Sequence, residues 1–497
     1  MFRKLLFISL IIPMSLMANF TTDVLDAFDG SDPFDFNIEV QYRYEMKSNK
    51  IKREYTCKAP DRNCDSQNMH GNGIVNANNF SYLREDHIIE PKLRFGLYKD
   101  LEFFISMPTY VSSSRTLGFD NAARDAANDT NADGIVDGND DKATHNGASN
   151  TFWNLRRTGG EDLFLAYRRE MKLGTSAVKN TTPNESGYVN PKDLFPEEGI
   201  SYERAGIKTL NLGFKANLLD NDRDDTDPTW MIAFEYRASI SPSPIDFYSA
   251  GRLDEMLNGK DLGIYSKAEL KSRLSHRIDL ANDSIADGVH WMKFQTALSK
   301  RYGLSDTVMN FFYEKPLMFS DTAFQKHANR EFYMPGAVFG FDLGIEFIPW
   351  EKSYRNPQTD EKITTGRFTI DTYFKFTHHN KGMEISEISD FIALPTVVNQ
   401  YSNLFLNLNL RYMPNRFAQV NFGFAAGYTT DHILTNQARG IDHNNNGKID
   451  TDEEDPNFGT NNLYEKTTFN AINSVGSRIL ATETFNLKGY FSLQIQF

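Results

Sequence analysis

Beyond Met17 the chain has no apolar run long enough to cross a bilayer as a helix, which excludes a helical membrane protein. Cysteine is scarce, with Cys57 and Cys64 alone, so neither a disulfide-dense scaffold nor a multi-cysteine metal centre is available. Positive charge is also short: 53 Lys and Arg stand against 66 Asp and Glu, a net charge of −13 that argues against a nucleic-acid partner. A catalytic constellation is missing too. "THNGASN" places His145 near Ser149 and Asn150, but a nucleophile and its base need a fixed shared geometry that a polar loop does not supply. The chain therefore reads as a non-enzyme, with a hydrolase as the weaker alternative.

What is abundant is aromatic surface of one kind, with 39 Phe and 22 Tyr against 4 Trp, set between long Asn-, Asp- and Gly-rich stretches. The start supplies Arg3 and Lys4, an apolar run from Leu5 to Met17, and Ala18, which together read as a secretory signal over residues 1–18. Residues 19–35 follow as a short periplasmic segment. Val24, Leu25 and Phe28 at helical spacing make it either a small plug or a disordered leader.

From Phe36 onward the pattern changes to a period of two. Phe36, Ile38, Val40, Tyr42, Tyr44 and Met46 alternate with Asn37, Glu39, Gln41, Arg43 and Glu45. The same alternation recurs in "PKLRFGLYKDLEFFISM", at Leu210–Phe214, Trp230–Tyr236 and Phe339–Phe347, and in "FTIDTYFKF", "LFLNLNLRY" and the final "LKGYFSLQIQF". A soluble barrel fills its interior with apolar groups, whereas these polar faces carry charges. Closure with the apolar face outward leaves no open edge in lipid. The sequence thus predicts an all-β, transmembrane, antiparallel up-and-down barrel over residues 36–497, with the last strand pairing the first. The predicted location is the outer membrane, with its lipid and the barrel assembly machinery as partners.

Short links at Tyr98–Asp100, Asp220–Pro228, Tyr302–Ser305 and Met413–Arg416 alternate with long polar stretches, placing the former in the periplasm and the latter outside. Strand counting reaches thirteen because "EDLFLAYRREM" fits no orientation. Twelve strands are expected, with fourteen as the alternative. Glu39, Arg43, Lys92, Arg94, Lys215, Arg237, Lys293, Asp371, Lys375, Arg411 and Lys488 fall on the polar face as candidate pore-lining residues for a small-molecule solute.

Two loops carry metal-ligand spacing. "DHNNNGKIDTDE" aligns Asp442, Asn444, Asn446, the Lys448 carbonyl, Asp450 and Glu453 around a turn at Gly447. "DTNADGIVDGND" offers Asp129, Asn131, Asp133, the Ile135 carbonyl, Asp137 and Asp140. Alternate oxygen donors converging on one cation predict Ca2+, and the first loop resembles an EF-hand loop. The second departs from it by ending in Asp and is similar to dockerin-type repeats. The acidic run Asp220–Asp227 lacks the glycine and reads as a turn. Cys57 and Cys64, exported to an oxidising compartment, are expected to pair.

"LGFKANLLDNDRDDTDPTWMIAFEYRASIS" joins two strands through a DR-containing, Pro-Thr-Trp turn. It resembles the outer-membrane channel families for hydrocarbon and fatty-acid uptake, including the phenol-degradation meta-pathway group, over roughly Leu210 to Leu317. That resemblance implies a channel for small, hydrophobic or aromatic solutes. The long hatch of fatty-acid transporters has no counterpart before Phe36. A surface receptor or adhesin with calcium-stiffened loops is the alternative.

Overall fold

The computed structural model describes residues 21–25, 27, 35–56, 74–119, 200–221, 227–241, 285–317, 324, 334–355, 362–389, 395–415, 417–435 and 478–496. The expected signal segment, both calcium-loop frames, Cys57, Cys64, residues 161–171, His145, Ser149, Asn150 and Phe497 lie outside them.

In chain order the strands are β1 (Phe36–Thr56), β2 (Ile74–Tyr98), β3 (Leu101–Ser106), β4 (Thr109–Phe119), β5 (Ile200–Ile207), β6 (Thr209–Leu219), β7 (Thr229–Ser239), β8 (His290–Tyr302) and β9 (Ser305–Leu317). They continue as β10 (Val338–Arg355), β11 (Lys362–His379), β12 (Gly382–Glu384), β13 (Thr396–Val398), β14 (Tyr401–Asn415), β15 (Ala418–Thr429), β16 (His432–Ile433) and β17 (Ile479–Gln496). β3 and β4 both pair with β2 and form one stave, interrupted at Met107 and Pro108. β5 and β6 form the next, interrupted at Lys208, because Pro108 has no N–H to continue the ladder and its carbonyl accepts from Lys208 instead. β12 and β13 make a separate hairpin, and β16 is a short addition to β17.

The remaining staves are antiparallel and number twelve, closed where β1 pairs β17 from Asn37–Gln496 to Arg53–Ile479. One hydrogen-bonding row starts beside Asp35, passes Gly96, Glu102, Lys215, Gln295, Gly340 and Asn403, and returns to β1 between Ser48 and Lys50. A row that climbs so far in one circuit means strands tilted by roughly 40° from the barrel axis.

The alternation places its two faces as an inverted globule. Leu406 is 61% exposed on the outer wall, with Phe422, Ile345 and Phe491 also exposed there, while Asn37, Glu102, Glu346 and Ser492 are fully buried within. Aromatic side chains tile the outside across strands, as in Phe36–Phe95–Phe103–Phe214, with successive ring centroids 4.9, 6.2 and 5.2 Å apart. Short turns at Lys99–Asp100 and Gly303–Leu304 lie at the end that holds Asp35 and Gln496, which is the periplasmic end.

Candidate functional site

The inward positions of β1–β3, β6–β11, β14 and β17 converge on a lumen cavity of about 350 Å3. Of the residues expected to line a pore, Glu39, Lys92, Arg94, Lys215, Lys293, Asp371, Lys375 and Arg411 border it. Arg43, Arg237 and Lys488 share the inward face in ion pairs: Arg43 with Glu45 and Glu90, Arg237 with Glu235 and Glu314, Lys488 with Glu45.

The two cation types are held differently. Arg94 Nε and Nη2 donate to Glu102 at 2.9 and 2.6 Å, Arg367 donates to Glu346 at 2.7 Å, and Arg411 donates to Asp371 at 2.8 Å. These planar forks match the carboxylates of the wall. Lys92, Lys293 and Lys375 lie over rings instead. Lys92 is 5.0 Å from the Phe104 centroid, while Lys293 and Lys375 flank Phe312 at 5.3 and 4.9 Å. Lys375 also approaches Asp342 at 3.7 Å. The cation–π contact holds an ammonium in place without itself neutralising it, although Lys375 shares its charge with Asp342.

Phe104, Phe312 and Tyr490 face inward against the apolar-out rule; the alternation of the last strand already put Tyr490 on the polar face, while Phe104 and Phe312 were not singled out. Their places are made by glycine. A Cβ on Gly340 would overlap the Phe312 ring, and one on Gly423 would overlap the Tyr490 ring, so each ring lies flat on the wall in a recess. Glu90, Glu235, Asn310, Asp342 and Glu346 also border the cavity and were not anticipated, although each continues the period of two on its strand.

The extracellular end carries a roof. Met383 of β12 and Val397 of β13 pack with Val289 and Phe324 in a small core bordered by Trp291 and Ile385. Beneath it Glu387 meets Lys47 at 2.5 Å and accepts a hydrogen bond from Asn49 Nδ2 at 3.0 Å, tying the hairpin to β1. His379, Tyr401 and His432 stack in sequence, each centroid 4.4 Å from the next. Burial pushes the Glu384 carboxyl up to about 7, and Tyr401 Oη donates to it at 3.3 Å. Burial acts on Glu387 in the same sense, but the Lys47 ammonium overrides it and brings that carboxyl down to about 2.

At the other end the N-terminal segment enters the lumen. Arg94 Nη2 donates to Asp23 Oδ2 at 3.0 Å, Leu25 N donates to Glu102 Oε2 at 3.0 Å, and the Thr22 and Ser299 hydroxyls lie 2.7 Å apart.

Neither a known family model nor a curated protein matches the chain. Among solved structures it is similar to the COG4313 outer membrane channel from Pseudomonas putida F1, at 8% identity over 97% of this chain and 100% of that one, with a TM-score of 0.35. It is also similar to a Pseudomonas aeruginosa FadL homologue, at 8% identity over 93% and 90% with a TM-score of 0.28. The TodX monoaromatic hydrocarbon channel deltaS2 mutant is similar at 7% identity over 93% and 90%, with a TM-score of 0.27. Strand count and closure follow from this chain's own pairing, and orientation from its turn lengths. A closed barrel with an apolar outer wall and a polar interior is built for the outer membrane, where this protein resides.

Proposed function

We propose that the protein is an outer-membrane channel for small solutes, and that its lumen favours solutes carrying negative charge. The observation that carries this reading is the placement of the cations: Arg94, Arg367 and Arg411 are held by wall carboxylates, whereas Lys92, Lys293 and Lys375 border the cavity over Phe104 and Phe312. An interior dense with ion pairs is a poor path for a bare hydrocarbon, so an aromatic solute would pass as its carboxylate or phenolate. A barrel of this size lies between filled eight-stranded barrels and open porins, which suits a narrow conduit.

The test is the reversal potential of the purified protein in a planar bilayer under a salt gradient. The wild type is expected to prefer anions, and Gln at Lys92, Lys215, Lys293 and Lys375 together should abolish the preference. Unchanged selectivity in that variant rules the reading out.

The external loops are proposed to bind calcium at Asp442–Glu453 and Asp129–Asp140, on the ligand spacing of the sequence. Chelator should then increase proteolytic nicking within both segments while the strands stay protected. Asp442→Ala with Glu453→Ala should remove the calcium response of its own loop. An identical cleavage pattern with and without chelator would leave both as ordinary acidic loops.

A further inference from the structure

We infer that the N-terminal segment at residues 21–25 and 27 is a reversible gate seated in the lumen, an inference that rests on the channel reading above. Its anchors lie on separate staves. Asp23 bonds Arg94 of β2, the Leu25 amide bonds Glu102 of β3, and Thr22 meets Ser299 of β8, so the segment spans the staves of β6 and β7 that lie between. Leu25 and Ala27 are buried there, and Thr21 borders the lumen cavity. A solute moving from the cavity to the periplasmic end therefore meets this segment.

The chemistry of the seat makes release feasible. Arg94 and Glu102 hold each other through two hydrogen bonds that do not involve the segment. Undocking thus leaves neither charge buried without its partner, which is the situation that would make release prohibitive. Asp23 is already 43% exposed and returns to water at little cost. Arg94 also borders the cavity, so an anionic solute arriving there competes with the Asp23 carboxylate for the same guanidinium. The seat is matched to the solute class, and arrival of the solute favours departure of the segment.

The facing hydroxyls of Thr22 and Ser299 supply the test. Thr22→Cys and Ser299→Cys are combined in a full-length chain carrying Cys57→Ser and Cys64→Ser, and single-channel currents are recorded before and after oxidation. The expected result is that oxidation cross-links the pair and holds the channel in its low-conductance state, and that dithiothreitol restores opening. Removing residues 21–27 should raise mean conductance by roughly twofold or more. Failure of the pair to cross-link would overturn the seating. Equal, non-zero currents in oxidised, reduced and truncated proteins would overturn the gate and leave the channel reading standing. Absence of current from wild type and truncated protein alike would overturn both.

Discussion

Arg94 lies on the inward face of β2 and borders the lumen cavity. It is 2% exposed, and Glu102 beside it is fully buried. Neither charge would be tolerable alone, so Arg94→Ala strands a carboxylate and should destabilise the barrel by roughly 3–5 kcal/mol. Arg94→Ala with Glu102→Ala should cost distinctly less. The temperature at which folded, fast-migrating protein disappears on unboiled gels measures both. The aromatic recesses make a second prediction. Gly423→Val would drive the Tyr490 ring off the wall and into the lumen, lowering conductance by about twofold without preventing assembly. Adding Tyr490→Ser should restore the current, and a single variant with normal current would mean that the ring does not border the conducting path.

At the scale of elements, the period of two and the turn lengths were legible because each strand must present one face to lipid and one to water. The interrupted staves were not. Pro108 and Lys208 break two strands in mid-wall, and "ISYERAGI" alternates too weakly to announce β5. Once β5 is recognised as continuing into β6, the barrel closes at twelve staves without residues 161–171, which removes the odd count. The roof hairpin was equally hidden, since its order comes from distant partners: Lys47 and Asn49 on β1, and Val289 ahead of β8. Its pH response follows from two carboxyls facing Lys47, Tyr401 and each other. The Glu384 carboxyl, raised to about 7, favours docking below its ordinary range, and that contribution is lost as pH climbs to 7. The Glu387 carboxyl, lowered to about 2, favours docking above its ordinary range and loses that contribution as pH falls towards 2. Docking should therefore be tightest near the ordinary carboxylate range and looser at neutral pH. Protease cleavage within residues 382–398 should rise between pH 5 and 7, and Glu384→Gln should flatten that rise.

The whole molecule is organised by reversal of the usual partition: apolar groups outside, ion pairs and amides inside. This predicts a sharp asymmetry between adjacent residues of one strand. Leu408→Arg places a charge on the outer wall and should destabilise assembly by roughly 2–4 kcal/mol, whereas Asn407→Arg, pointing inward, should alter ion preference and leave assembly intact. Within that reversal, the closed barrel is proposed to enclose a lysine-presenting conduit for small anionic solutes. Liposome swelling with gluconate and glucose, matched in size and differing in charge, distinguishes such a conduit from an unselective or closed one. Gluconate should enter faster, with the advantage lost when Lys92, Lys215, Lys293 and Lys375 are all Gln. Entry of glucose at an equal or greater rate, or exclusion of both solutes from liposomes containing folded protein, would contradict it.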